Sequence, residues 1–158
     1  MGWMNFPNLS CKIEMFCTIN PSESKEKLET TISNIFPYSK ITSNDLSINA
    51  VSKELRSFEK IYQFIHNNKL QKNFLRSLED NLKNDTTWFY LNKQAAFVEQ
   101  IAICEEFDES PLGPIKVSLT SSNIDRIIDW IVFDWIKLVK KINPFLIIFF
   151  SLNLKSIF

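Results

Sequence analysis

The stretch that most constrains this chain is residues 11–19, where Cys11, Ile13, Met15, Cys17 and Ile19 alternate with Lys12, Glu14 and Thr18. A period of two sends the apolar set to one face and the polar set to the other. The segment therefore reads as a half-buried strand, one face against a core. Pro21 breaks it. Ser22 is the expected N-cap of a helix reaching about Asn34, although Lys25 stands where a capping box wants Glu. Leu28, Ile32 and Ile35 form its inward stripe, and Phe36-Pro37 ends it.

Further along, residues 40–51 alternate more weakly through Ile41, Leu46 and Ile48, which predicts a second strand. Leu55, Phe58, Ile61, Tyr62 and Ile65 fall at helical spacing, with His66-Asn67-Asn68 as the stop. Phe74, Leu75, Leu78 and Leu82 make the stripe of another helix. Residues 86–91 are β-branched and aromatic, as a strand requires, and a further strand is expected over residues 95–104. An acidic loop (105–109) and a proline-bounded turn (110–114) lead to a strand over 115–120. Ser121 or Ser122 then caps a helix carrying Ile124, Ile127, Ile128 and Ile131. The expected class is α+β, order β-α-β-α-α-β-β-β-α, with a mixed or mainly antiparallel sheet covered by helices on one face.

The chain has 158 residues, one domain's worth, assigned to residues 11–131 between an N-terminal extension (1–10) and an apolar C-terminal extension (132–158). Residues 142–158 are rich in Ile, Leu and Phe, but Pro144, Ser151, Asn153 and Lys155 interrupt them. A spanning helix needs about 20 apolar residues, so a packed or partly disordered extension is expected rather than membrane contact. Residues 1–10 show neither the charged start nor the apolar run of a secretory signal, and a cytoplasmic location is expected. Only Gly2 and Gly113 are glycines, which excludes a glycine-rich phosphate cradle. Cys11, Cys17 and Cys104 have no metal-ligand spacing and read as small core residues.

No catalytic constellation emerges, and no cofactor or metal is expected. His66, the one histidine, sits at a helix end and reads as structural or solvent-facing. Glu105, Glu106, Asp108 and Glu109 lack the spacing and central glycine of a calcium loop. Ser110 lacks a nucleophile elbow and reads as a turn residue. Lys+Arg and Asp+Glu are both 18, so whole-chain charge makes no case for nucleic acid. Its distribution does. From Lys53 to Lys93 there are eight basic residues against five acids, and from Gln94 to Asp129 the balance reverses. Lys72, Arg76 and Lys83 recur on one helix face, next in the chain to the polar corner Asn92-Lys93-Gln94. Such a face positions phosphates, and amides and cations reach sugar hydroxyls. Trp88 and Phe89 can stack bases where they face solvent, but adjacent strand residues point to opposite sides.

In order, RSLEDN, FYLNKQAAFV, CEE, ESPLGPIKVSL and IDWI occupy the stretch from Arg76 to Ile131, and LRSFEKI precedes them. This set, with the strand–Pro–helix–Phe-Pro pattern of residues 13–37, resembles the archaeal uncharacterised protein family number two hundred and one. That family is described as RNA-binding and as a predicted exosome-associated subunit. The resemblance implies a fold similar to the ribosomal protein L-five type, a homodimer and RNA as partner, and it implies no established catalytic activity. Carried over by matching residue, Arg56, Arg76, Asn92, Lys93 and Gln94 stand at the family's polar signature. The expected RNA-contacting set is thus Arg56, Lys72, Arg76, Lys83, Asn92, Lys93 and Gln94, acting on phosphates and 2′-hydroxyls, in association with RNA processing. Two rivals stand beside it: a scaffold of an RNA-processing complex without RNA affinity, and a metal-dependent hydrolase using the acidic loop.

Overall fold

The computed structural model describes residues 6–133 and, beyond them, Lys141, Asn143 and Phe145. Residues 1–5 and almost all of the expected C-terminal extension lie outside the described residues. The elements run β1 (Lys12–Thr18), α1 (Lys25–Ile35), β2 (Lys40–Ser43), β3 (Ser47–Ser52), a 3-10 turn (Leu55–Phe58), α2 (Glu59–Asn67) and α3 (Gln71–Asp80). They continue with β4 (Thr86–Leu91), α4 (Lys93–Phe97), β5 (Ile103–Cys104), a second 3-10 turn (Phe107–Glu109), β6 (Ile115–Thr120) and α5 (Ile124–Val132). The strands form one six-stranded sheet in the order β2-β3-β1-β6-β4-β5, and every pairing is antiparallel. The α+β class is as expected. Among the described residues no helix is long and apolar enough to cross a membrane.

One face of the sheet makes the core. Ile13, Met15 and Cys17 of β1, Ile48 and Ala50 of β3, Phe89 and Leu91 of β4, and Val117 and Leu119 of β6 are all buried. Against them pack Leu28 and Ile32 of α1, Ile61 and Ile65 of α2, Phe74 and Leu78 of α3, and Ile127 and Ile131 of α5. Each fully buried side chain of this size contributes about 1.5–3 kcal/mol of transfer free energy. That one-sided gain requires the alternation read in residues 11–19. Phe89 sits at the junction of layers, edge-on to Phe58 (6.0 Å between centroids) and to Phe74 (4.8 Å).

Three local expectations are corrected. Residues 40–51 are a hairpin, not one strand: the Asn44 carboxamide accepts from Leu46 N (2.8 Å) and Ser47 N (2.9 Å), turning the chain between β2 and β3. Residues 95–104 are not a strand: Asn92 caps α4 by accepting from Ala95 N (2.9 Å), and only Ile103–Cys104 pairs with β4. The two alanines are better helix than strand formers, and Glu99, at φ 59°, turns the chain back toward β5. Finally, Ser24 rather than Ser22 caps α1, accepting from Lys27 N (3.3 Å). The observed order is therefore β-α-β-β-α-α-β-α-β-β-α.

Phe89→Ala removes the ring shared by the sheet, α3 and the first 3-10 turn. It should destabilise the fold by about 3–5 kcal/mol, read as a lower urea midpoint at unchanged slope.

Candidate nucleic-acid interface

The seven expected RNA-contacting residues separate into two groups. Lys72 and Arg76 are exposed on α3 four residues apart, so their side chains neighbour each other. Lys83 is exposed in the turn into β4. Among the described residues, none of these three has an ion-pair partner. Arg56 is exposed on the first 3-10 turn, its guanidinium 3.8 Å from the Tyr38 ring centroid and ion-paired with Glu54. Asn92, Lys93 and Gln94 follow the far end of β4, about 20 Å of strand away from Lys83. Lys83 therefore stands apart from the polar corner.

The corner is a buried knot, which corrects the expectation for Lys93. Its side chain is 0% exposed. The ammonium donates to Thr18 O (2.8 Å), Leu112 O (2.8 Å) and Glu23 Oε1 (3.1 Å), using all three donors. Ser110 Oγ donates to Gln94 Oε1 (2.8 Å) and accepts from Lys93 N (3.3 Å). Asn92 is committed to its cap. All three motif residues thus serve the fold, and Ser110, read as a turn residue, is buried among them. Burial alone would push the Glu23 carboxyl up. Hydrogen bonds from the Asn20 side chain and backbone and from Lys93 outweigh it, holding the group below the ordinary Glu value. Beneath the knot, burial pushes the Cys17 thiol up to about 11.

Sequence reasoning missed a second constellation, beside α3. A groove of about 270 Å³ is lined from α3 by Asn73, Arg76 and Asp80 and from the sheet edge by Trp88, Tyr90 and Glu105. Asn81 Nδ2 donates to Trp88 O (2.9 Å), tying the end of α3 to the edge of β4. Trp88 and Tyr90 are 4.9 Å apart between centroids, and the Lys116 ammonium lies 4.9 Å from the Trp88 ring. A signal existed. Residues two apart on a strand share a face, so Trp88 and Tyr90 had to stand together once Phe89 was placed in the core. His66 and the acidic loop have local structural work. His66 Nε2 lies 2.6 Å from Ile131 O, and the Glu109 carboxylate accepts from Glu106 N (2.9 Å) and Glu105 N (3.2 Å).

A helix-backed antiparallel sheet with exposed cations on α3 beside half-buried aromatic residues at its edge defines a small α+β domain. The comparisons narrow that class. A family model described as RNA binding matches residues 12–120. The UPF0201 protein of Sulfurisphaera tokodaii is 30% identical over 124 residues, covering 76% of this chain and 86% of that one. The UPF0201 protein of Methanothermobacter thermautotrophicus is 28% identical over 123 residues, covering 78% and 92%. The crystal structure of the UPF0201 protein from Methanococcus jannaschii matches with a TM-score of 0.65 at 26% identity, over 77% of this chain and 92% of that one. This chain belongs to the archaeal UPF0201 family, and it also matches the family model described as RNA binding.

Removing one partner of a buried ion pair leaves the other charge uncompensated. Lys93→Met should therefore cost about 3–5 kcal/mol of folding stability, and adding Glu23→Gln should recover part of it, both read by urea unfolding. The pH dependence has a definite sign. Because the folded-state value of Glu23 is lowered, the unfolded chain binds more protons between that value and the ordinary one, so stability rises with pH there. The Glu23 contribution is present above about pH 4.5 and is lost as pH falls through the lowered value. Glu23→Gln should flatten this part of the acid-unfolding profile.

Proposed function

We propose that this protein is a non-catalytic RNA-binding protein whose phosphate contacts lie on the exposed face of α3. The observation that carries the reading is the placement of Lys72, Arg76 and Lys83. All three are exposed, and among the described residues none is ion-paired. A cation already neutralised by a carboxylate has less to gain from a phosphate, whereas an unpaired one releases counterions from the RNA on binding. The family description supports RNA as the partner class. Arg56 is a weaker contributor because Glu54 already neutralises it. Asn92, Lys93 and Gln94 drop out of the contacting set because they are committed to the buried knot.

Contacts of this kind fall on phosphates and 2′-hydroxyls and carry little base sequence information. The homodimer, the association with RNA processing and the cytoplasmic location implied by the resemblance belong to the same proposal. Sedimentation of the purified chain tests the first of these.

A salt series decides the central claim. Each phosphate contact on a single strand contributes about 0.7 to the slope of log affinity against log salt. A Lys72→Ala/Arg76→Ala double variant should therefore flatten the slope by about 1.4 and weaken binding at low salt. An unchanged slope in the folded variant, or no RNA binding by the wild type, overturns the reading.

A further inference from the structure

Among the described residues the helices from α1 to α5 pack on one side of the sheet, and the other side carries a second pattern. On β1 the outward residues are Lys12, Glu14, Phe16 and Thr18, and Phe16 is 46% exposed. The antiparallel registers place these residues in rows across the three central strands. Phe16 lies opposite Lys116, which lies opposite Tyr90. Glu14 lies opposite Ser118, which lies opposite Trp88, and Lys12 opposite Thr120, which lies opposite Thr86. Phe107, 59% exposed, brings a further ring to within 5.9 Å of Tyr90. The uncovered face therefore holds aromatic rings around a central lysine, bordered by hydroxyls.

We infer that this face is a stacking platform for the bases of single-stranded RNA; the inference rests on the RNA-binding reading and extends it from phosphate to base recognition. Three observations select this occupant. The first is charge. Among the described strand residues of this face, Lys12, Lys40 and Lys116 stand against one acid, Glu14, which pairs with Lys12 at 2.9 Å. Lys116, between two rings, has a phosphate as its natural complement. The acid that a second copy of this face would bring, Glu14, is already paired with Lys12, so burying Lys116 against such a copy would desolvate it at a cost.

The second observation is geometry. Neighbouring strands lie about 4.8 Å apart, so Phe16 and Tyr90 flank Lys116 across roughly 10 Å. A flat array of rings accepts splayed, unpaired bases, whereas a duplex keeps its bases stacked inside and presents only backbone and groove. The third is continuity. Trp88 and Tyr90 line the groove that holds Arg76 and also stand in the rows of the uncovered face. A strand following α3 by its phosphates meets the rings without leaving the surface.

The test measures affinity for a single-stranded RNA of about ten nucleotides, for a duplex of the same length, and for an abasic oligomer of equal charge. Phe16→Ser and Tyr90→Ser should each weaken single-strand binding about tenfold or more and leave the abasic oligomer unaffected. Lys72→Ala/Arg76→Ala should weaken all three ligands. Phe16 is exposed on the sheet surface, so Phe16→Ser carries the test if Tyr90→Ser fails to fold. Wild-type RNA binding that survives both ring substitutions overturns the platform and leaves the α3 reading standing. No RNA binding by the wild type overturns both. A wild-type dimer that Phe16→Ser splits assigns the face to a second copy and overturns the platform.

Discussion

The fold hangs on the Lys93 ammonium. In the central order β1-β6-β4 the end of β1, the start of β6 and the end of β4 lie at the same edge of the sheet. Lys93 follows β4 directly and grips Thr18 O at the end of β1 and Leu112 O in the approach to β6. Its third bond reaches Glu23, just ahead of α1, and Glu23 is held in turn by Asn20 Nδ2 at 2.7 Å. One cation thus joins segments separated by 70 and 75 residues. Burying an ion pair is a poor way to gain net stability, because desolvation offsets much of the attraction. Its value here lies in direction. The three donors are all taken by Thr18 O, Glu23 Oε1 and Leu112 O, so the bonds tie these segments to the end of β4.

That arrangement decides where binding can happen. With one end of the central strands closed by the knot and one face closed by helices, the sheet's own accessible side chains lie on its outer face and along the β4 edge. β5 contributes only Ile103 and Cys104 to that edge, leaving the rest of β4 beside α3. Asn81 and Thr87, which bond Trp88 O and Leu78 O across this junction, hold α3 against the strand. Arg76 is consequently presented beside Trp88 and Tyr90 by rigid elements rather than by a loop. A short edge strand, which usually guards against edge-to-edge pairing, here also opens the groove.

Much of this was legible from residue patterns, and the failures have physical causes. β1, β4, β6 and α5 carry strong periodicities, and each was expected within a few residues of its place. The hairpin at Asn44 was hidden because a side chain mimicking a backbone turn leaves the strand-like alternation on either side intact. Helix α4 was hidden because five residues are too few to show a helical period, and its strongest signal is the Asn92 cap. Lys93 was the deepest misreading. A lysine in a polar corner looks solvent-facing, and nothing local announces that its partners are Thr18, Glu23 and Leu112, all distant in sequence. Phe16 escaped notice for the complementary reason. Its place on the polar side of β1 gains meaning only from the registers that set it against Lys116 and Tyr90.

The balanced charge of the chain, which weighs against nucleic-acid binding at first sight, fits this division of labour. A protein that holds RNA mainly by counterion release needs many cations on one surface, and its affinity collapses as salt rises. With 18 basic and 18 acidic residues, this chain has little net field to attract a polyanion from a distance. Binding on the proposed reading must therefore rest on a few unpaired cations for placement and on ring stacking for strength. Stacking depends on bases lying flat against aromatic faces and is sequence-tolerant, while the salt dependence of binding comes from the phosphate contacts. The same logic sets the preference between RNA forms. A duplex hides its bases and so meets only the sparse cations of α3, while a single strand engages both surfaces. Selectivity for unpaired RNA then follows from charge neutrality combined with an uncovered aromatic face, without any base-specific hydrogen bond.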